Sequence, residues 1–206
     1  MLIAGLTGSI GMGKSTAAAR LRAIGVAVCD ADAEVHELYR GAAVAPIEAA
    51  FPGVAPGGTV DRQKLSAALL ADPSALPRLE AIVHPLVQAA ERQFLIEVQR
   101  AGGQLAVLEI PLLFETNGDA RCDVTIVVSA GAEAQRARVL ARPGMSEAKL
   151  AAILARQMPD EEKRRRADFV VDTSTTIEAT ERQIDAIVSA LRERRGTAFQ
   201  RLWAGR

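Results

Sequence analysis

Aromatic side chains are scarce in this chain of 206 residues: one Trp, one Tyr and five Phe, or 3%. So few rings exclude a stacking platform for single-stranded bases. An excess of either charge is also missing. Lys plus Arg number 25, Asp plus Glu number 25, and the formal net charge is zero. A global basic field that grips nucleic acid is therefore absent, and no nucleic-acid partner is expected. Cysteine is limited to Cys29 and Cys122, which form neither a CxxC pair nor a metal-spaced cluster. No basic region precedes the short apolar stretch at the N-terminus. Together these features predict a reducing, cytoplasmic location. Long apolar runs are lacking too. The longest, Leu105 to Phe114, is broken by Glu109 and Pro111. It falls well short of the ~20 apolar residues that cross a bilayer, so no membrane partner is expected.

What is present is ordinary for a globular chain: 49% apolar and 24% charged residues. The length suits one domain with a small insertion, able to bury a core without disulfides or a structural metal. Leu2 to Thr7, Val26 to Val28 (ending at Cys29-Asp30), Leu105 to Ile110, Val124 to Val128 and Phe169 to Val171 read as short buried strands. Helical patterns lie between them at Ser15 to Ile24, closed by Gly25, then Ala132 to Ala141, Ser146 to Gln157 and Ile177 to Arg194. Strands apolar throughout and alternating with helices predict an α/β fold with a parallel sheet covered on both faces.

The stretch 41–100 interrupts this alternation. Pro46, Pro52, Gly53, Pro56, Gly57 and Gly58 punctuate its start. Asp61 is placed to cap one helix, and Asp72-Pro73 to cap and open another that continues to about Arg100 with a kink or break at Pro85. The predicted organisation is a core of 1–40 and 101–206, with a helical insertion over 41–100.

Gly8-Ser9-Ile10-Gly11-Met12-Gly13-Lys14-Ser15 matches G-x-x-x-x-G-K-[ST]. It stands directly after a strand and opens a helix, where the mechanism requires it. Glycines allow backbone N–H groups to converge on phosphate oxygens, and the helix N-terminus adds partial positive charge. Gly8, Gly11, Met12, Gly13, Lys14, Ser15 and Thr16 are the candidate nucleotide-binding residues. Lys14 can reach the β- and γ-phosphates, and the Ser15 hydroxyl can ligate Mg²⁺. A dinucleotide G-x-G-x-x-G/A motif fits worse, because the best window ends in Thr16 and leaves Lys14 unexplained. The fold expected is thus a three-layer α/β/α of P-loop kinase type with a five-stranded parallel sheet.

Asp30-Ala31-Asp32 follows the second strand, on the side of the sheet where ligands bind. Phosphoryl transfer to a hydroxyl needs a carboxylate to orient that hydroxyl and accept its proton. An aspartate here can equally cap the next helix, and the two residues can divide these jobs. Arginines cluster further on: Arg136, Arg138 and Arg142, then Arg156 and Arg164 to Arg166. Carried on a lid over about 142–167, they could close on the phosphates; alternatively, they form a solvated face, which Glu161-Glu162 beside Lys163 favours for the later run. His36 reads as a surface or satisfied core histidine, and His84, before Pro85, stays open between cleft and surface.

Missing motifs narrow the class. Asn117 is the sole asparagine and is followed by Gly118, so the N-K-x-D base-reading motif of GTPases is absent. No apolar strand ends in a Walker-B aspartate; Glu109 stands near that place. A small-molecule kinase remains.

In LTGSIGMGKST, the V-C-D-A-D segment at Val28 to Asp32, GGTVDRQKL at Gly57 to Leu65, LEAIVHPLV at Leu79 to Val87, LEIPLLFE at Leu108 to Glu115, and Arg138 with Arg142, the chain resembles the dephospho-coenzyme A kinase family. The resemblance implies Mg²⁺-dependent transfer of a phosphoryl group from ATP to the ribose 3′-hydroxyl of dephospho-CoA, the last step of coenzyme A biosynthesis. It implies Asp32 as base, Lys14 as phosphate clamp, and Arg138 and Arg142 as lid arginines. It places Arg62, His84, Leu112 and Leu113, with Asp32, on the acceptor side, in a CoA-binding insertion. Asp172-Thr173-Ser174 departs from the family's Asp-Asn, so no asparagine contact carries over there. A nucleoside or nucleotide kinase and a P-loop regulator without acceptor turnover are the rival classes. A monomer or weak homo-oligomer is expected.

Overall fold

The computed structural model describes residues 1–72 and 74–205. They form five strands in a parallel sheet flanked by helices. The strands are β1 (Leu2–Thr7), β2 (Ala27–Asp30), β3 (Leu105–Glu109), β4 (Val124–Ser129) and β5 (Phe169–Asp172). Their spatial order is β2-β3-β1-β4-β5. β1 is central, paired in parallel with β3 (Leu6 opposite Glu109) and with β4 (Leu6 opposite Ile126). A central strand is covered on both faces, which is why β1, β3 and β4 are buried throughout.

The helices are α1 (Lys14–Ala23), α2 (Ala31–Leu38), α3 (Val44–Ala50), α4 (Arg62–Ala71), α5 (Ala75–Arg100), α6 (Ala132–Leu140), α7 (Glu147–Leu154), α8 (Asp160–Arg166) and α9 (Ile177–Arg192). The chain divides into two compact units. One comprises Met1–Cys29 and Leu95–Arg206, the other Asp30–Phe94.

In the first unit the pleat of β1 sends Leu2, Ala4 and Leu6 into one core, with Ala17, Ala18 and Leu21 of α1 and Ile184, Val188 and Leu191 of α9. A fully buried leucine such as Leu6 contributes roughly 1.5–3 kcal/mol relative to an exposed one. α1 ends where Gly25, at φ +78°, turns the chain and donates its N–H to the Arg22 carbonyl.

The second unit has its own core: Ile47 and Phe51 from α3 and the turn after it, Leu65 from α4, and Ala75, Leu79 and Val83 from α5. Asp61 caps α4, as expected, by accepting the N–H groups of Gln63 and Lys64. Pro73 lies outside the described residues. Asp72 beside it accepts from the Ser74 N–H and hydroxyl at 2.8 and 2.7 Å.

Three segments carry more than their sequence pattern showed. α5 contains Pro85 but is not broken there; it runs for 26 residues. The segment around Pro46 holds the short α3, because a proline in a first turn removes an N–H that has no partner in the helix anyway. The charged run 160–166 forms α8, in which Arg164, Arg165 and Arg166 are exposed as a solvated face requires, while Lys163 is fully buried.

Candidate active site

The phosphate loop leaves the C-terminal end of β1 and feeds α1. Its glycines are required by contact and by conformation. A Cβ on Gly8 would stand 2.3 Å from Val128 Cγ2 and 2.8 Å from the Val128 carbonyl oxygen. Gly13 is the N-cap of α1 at φ +89°, a left-handed conformation that a side chain disfavours. No side chain caps this helix and no acidic residue stands in its first turn. The N–H groups of Lys14 and Ser15, with the helix dipole, are thus left for an anion, while that of Thr16 is bonded to the Gly13 carbonyl at 3.1 Å.

Met12 joins the loop to the core: its side chain is buried and Sδ accepts the Ala130 N–H at 3.1 Å. Thr173 Oγ1 donates to the Met12 carbonyl at 2.7 Å. Arg138 donates to the Thr173 carbonyl at 2.6 Å and to the Gly11 carbonyl at 3.5 Å, the limit of a hydrogen bond. So Arg138 is placed beside the phosphate loop. Arg142 is exposed, with no hydrogen bond or ion pair from its side chain among the described residues. Of the later arginines, Arg166 pairs with Asp119 at 3.0 Å and lies over the Phe114 ring at 4.6 Å.

Lys14 Nζ is 2.8 Å from Oε1 of Glu109, and Arg22 reaches Oε2 of the same carboxylate at 3.3 Å. Glu109 is the last residue of β3 and is 3% exposed. Sequence reasoning placed Glu109 near the Walker-B position but gave it no role. The signal was there: it is the one charged residue in an otherwise apolar strand. Ser15, next to Lys14, is exposed at the helix start.

In the second unit one of the two aspartates is a helix cap. Asp30 caps α2, its Oδ1 accepting the N–H groups of Asp32 and Ala33 at 2.9 and 3.2 Å. Asp32 is exposed, and its carboxylate has no hydrogen bond or ion pair among the described residues. Arg62 is exposed at the start of α4 and donates to Nε2 of His36. His84 is exposed on α5.

Leu112 and Leu113 part company. Leu112 is 36% exposed, whereas Leu113 is fully buried, its Cδ2 at 2.8 Å from where a Cβ on Gly5 would stand. Leu113 therefore fills the core left by that glycine, and the structure gives it no surface for a ligand. No group of three or more His, Cys, Asp or Glu that could hold a metal occurs among the described residues. Nor does any described helix have the length and apolarity to cross a membrane.

A family model for dephospho-CoA kinase matches residues 2–179. The chain belongs to the dephospho-CoA kinase family. It is 57% identical over 197 residues to a dephospho-CoA kinase of Mesorhizobium japonicum, covering 96% of this chain and all of that one. A dephospho-CoA kinase of Rhizobium meliloti is 57% identical over 192 residues, 93% of this chain and 99% of that one. Among solved structures, a protein from Thermus thermophilus is 40% identical and superposes with a TM-score of 0.79, over 92% of this chain and 97% of that one. The dephospho-CoA kinase from Campylobacter jejuni, 22% identical, has the same fold, with a TM-score of 0.70 over 93% of this chain and 97% of that one. The family is one of phosphotransferases with an alcohol acceptor, and neither rival class, nucleoside kinase or regulator, is favoured by these relatives.

Proposed function

We propose that this chain transfers the γ-phosphoryl group of ATP to the ribose 3′-hydroxyl of dephospho-CoA, giving CoA and ADP, the last step of coenzyme A biosynthesis. The observation that carries this is the family match over residues 2–179, joined to a complete phosphate loop at the N-terminus of α1. The nucleotide's phosphates lie on the N–H groups of Gly11 to Thr16. Lys14 leaves Glu109 for the β- and γ-phosphates and spreads the charge of the transferring group.

The donor set suits Mg²⁺. This ion keeps several waters and takes one or two protein oxygens besides phosphate, so it needs no cage of three carboxylates. The Ser15 hydroxyl would hold it directly, and Glu109, a buried carboxylate beside Lys14, would hold one of its waters. When bound, Mg²⁺ neutralises charge on the β- and γ-phosphate oxygens.

Asp32 orients the acceptor hydroxyl and receives its proton. Its freedom from capping, which Asp30 performs, supports this role. Arg142, at the start of a lid over about 142–167, and Arg138, on α6 just before it, add positive charge to the phosphates. Arg62, His84 and Leu112 serve the acceptor. A lid that excludes water would suppress wasteful ATP hydrolysis. A cytoplasmic enzyme, as monomer or weak homo-oligomer, agrees with two cysteines that form no disulfide.

The deciding experiment is ADP release from Mg·ATP with and without dephospho-CoA, beside adenosine and AMP as alternative acceptors. Turnover dependent on dephospho-CoA is expected. Turnover with adenosine or AMP alone would return the chain to the nucleoside and nucleotide kinases, and ATP binding without any acceptor turnover would make it a regulator.

A further inference from the structure

Two glutamines hold both main-chain groups of a single phosphate-loop residue. Ile10 donates its N–H to Gln157 Oε1 at 3.1 Å, and its carbonyl accepts from Gln135 Nε2 at 2.8 Å. Gln135 is a buried residue of α6. Gln157 stands three residues beyond α7, its N–H bonded to the Leu154 carbonyl at 3.1 Å.

The segment carrying Gln157 is pinned on its other side. Met158 donates its N–H to Glu115 Oε1 at 2.7 Å. Lys163 Nζ, fully buried, sits 2.9 Å from the same oxygen. Ser129, at the end of β4, donates its hydroxyl to Asp160 Oδ2 at 2.6 Å. Residues 157–163 are thus a foot fixed at three points, twice to Glu115 in the turn after β3 and once to Ser129 at the end of β4. α7 itself has a looser hold: among its eight residues Leu150 alone is buried. A weakly packed helix on a firmly held foot is built to swing about that foot.

Gln157 is the point where foot and phosphate loop meet. A free N–H in such a loop is an anion ligand, and whatever occupies it decides how the loop is set when phosphates arrive. A glutamine amide oxygen takes that N–H without placing a negative charge beside them. We propose that Gln157 is a positioning residue that couples filling of the phosphate loop to closure of α7, through its bond to the Ile10 N–H. The proposal rests on the phosphate loop holding a nucleotide, as argued above, and assigns a function to a contact that the chemistry itself does not use.

The test compares wild type with Gln157→Met, which keeps length but loses the acceptor, and Gln157→Glu, which keeps the acceptor. Hydrogen exchange of residues 146–157 is followed with and without saturating ADP, and ADP release with and without dephospho-CoA. In wild type, ADP should slow exchange across α7. In Gln157→Met that slowing should vanish, and acceptor-independent release should rise about 2- to 12-fold relative to acceptor-dependent release, the worth of one hydrogen bond. Gln157→Glu should retain the slowing, although its charge weakens ATP binding. Wild-type slowing in Gln157→Met, or its loss in Gln157→Glu as well, would overturn the proposal. Should Gln157→Met lack a cooperative melt, Gln157→Ser, too short to reach Ile10, is read in the same way. Absence of turnover with dephospho-CoA in wild type would count against the proposed substrate alone, since the exchange measurement needs ADP and no acceptor.

Discussion

Lys14 Nζ and Glu109 Oε1 are 2.8 Å apart, and the glutamate is buried at the end of β3. The lysine proposed to reach the phosphates is therefore paired with the carboxylate proposed to face the metal's water shell. Arg22, on the other oxygen at 3.3 Å, keeps Glu109 paired when Lys14 moves away. Glu109→Gln keeps the shape and removes the charge. Loss of a partner in a metal's outer shell lowers activity about 10- to 100-fold, so kcat should fall by that factor. The Mg²⁺ concentration for half-maximal rate should rise with it. A mutant with normal Mg²⁺ dependence would remove Glu109 from the site.

Asp30, which ends β2, and Asp32 allow stability to be tested apart from the proposed chemistry. Asp30 makes both capping bonds of α2, so Asp30→Ala should cost about 1 kcal/mol in a denaturant titration. Asp32 makes none, so Asp32→Asn should melt like wild type and bind ATP. Its acceptor-dependent turnover should drop about 100- to 10,000-fold, the usual worth of a positioned general base. Full activity in Asp32→Asn would assign proton removal to another group.

Glu48 gives the second unit an acid-sensitive clasp. Its carboxylate accepts the N–H groups of Gly53 and Ala55, each at 2.6 Å, and these bonds hold its pKa below the usual glutamate range. A folded pKa below the unfolded one means stability that is present above the unfolded value and lost as pH falls through the folded value. Melting temperature should therefore decline as pH falls through and below the ordinary glutamate range, and Glu48→Gln should flatten part of that decline. An unchanged profile in the mutant would leave the clasp without energetic weight.

Much of this architecture is legible in the sequence because its signals are local. Apolar runs of strand length alternate with helical patterns, and the phosphate loop announces itself by spacing. Asp61 and Ser146 stand at N-caps where short polar side chains before helical patterns put them. What escaped is long-range. Gln135 and Gln157 meet at Ile10 across separations of 125 and 147 residues, and nothing in their own neighbourhoods marks them. Leu113 belongs to a segment that resembles an acceptor site, yet the small Gly5 on β1 draws it into the core. Thr173, where the family pattern has asparagine, is tied to the Met12 and Ser129 carbonyls at 2.7 and 3.2 Å, a role visible only once β5 is beside β4.

Lys163 shows most clearly how a charged residue can be misjudged from its neighbours. It stands between Glu162 and Arg164 in a run that looks solvated, yet its side chain is fully buried against Glu115, itself 16% exposed. At 2.9 Å the pair is not aligned as a hydrogen bond, so the attraction is that of charges in a dry setting. Glu115 Oε2 and Asp160 Oδ1 are buried nearby without a hydrogen-bond partner among the described residues. Removing Lys163 leaves the Glu115 carboxylate without its ion-pair partner. Lys163→Met should therefore destabilise the chain by about 3–5 kcal/mol, far more than a surface ion pair would. At ~2–4 °C per kcal/mol for a chain of this size, the melting temperature should fall on the order of 10 °C. Adding Glu115→Gln to Lys163→Met removes the stranded charge and should recover part of that loss, whereas independent sites would add their costs. A double mutant less stable than Lys163→Met by the full cost of Glu115→Gln would show that the two charges do not act as a pair.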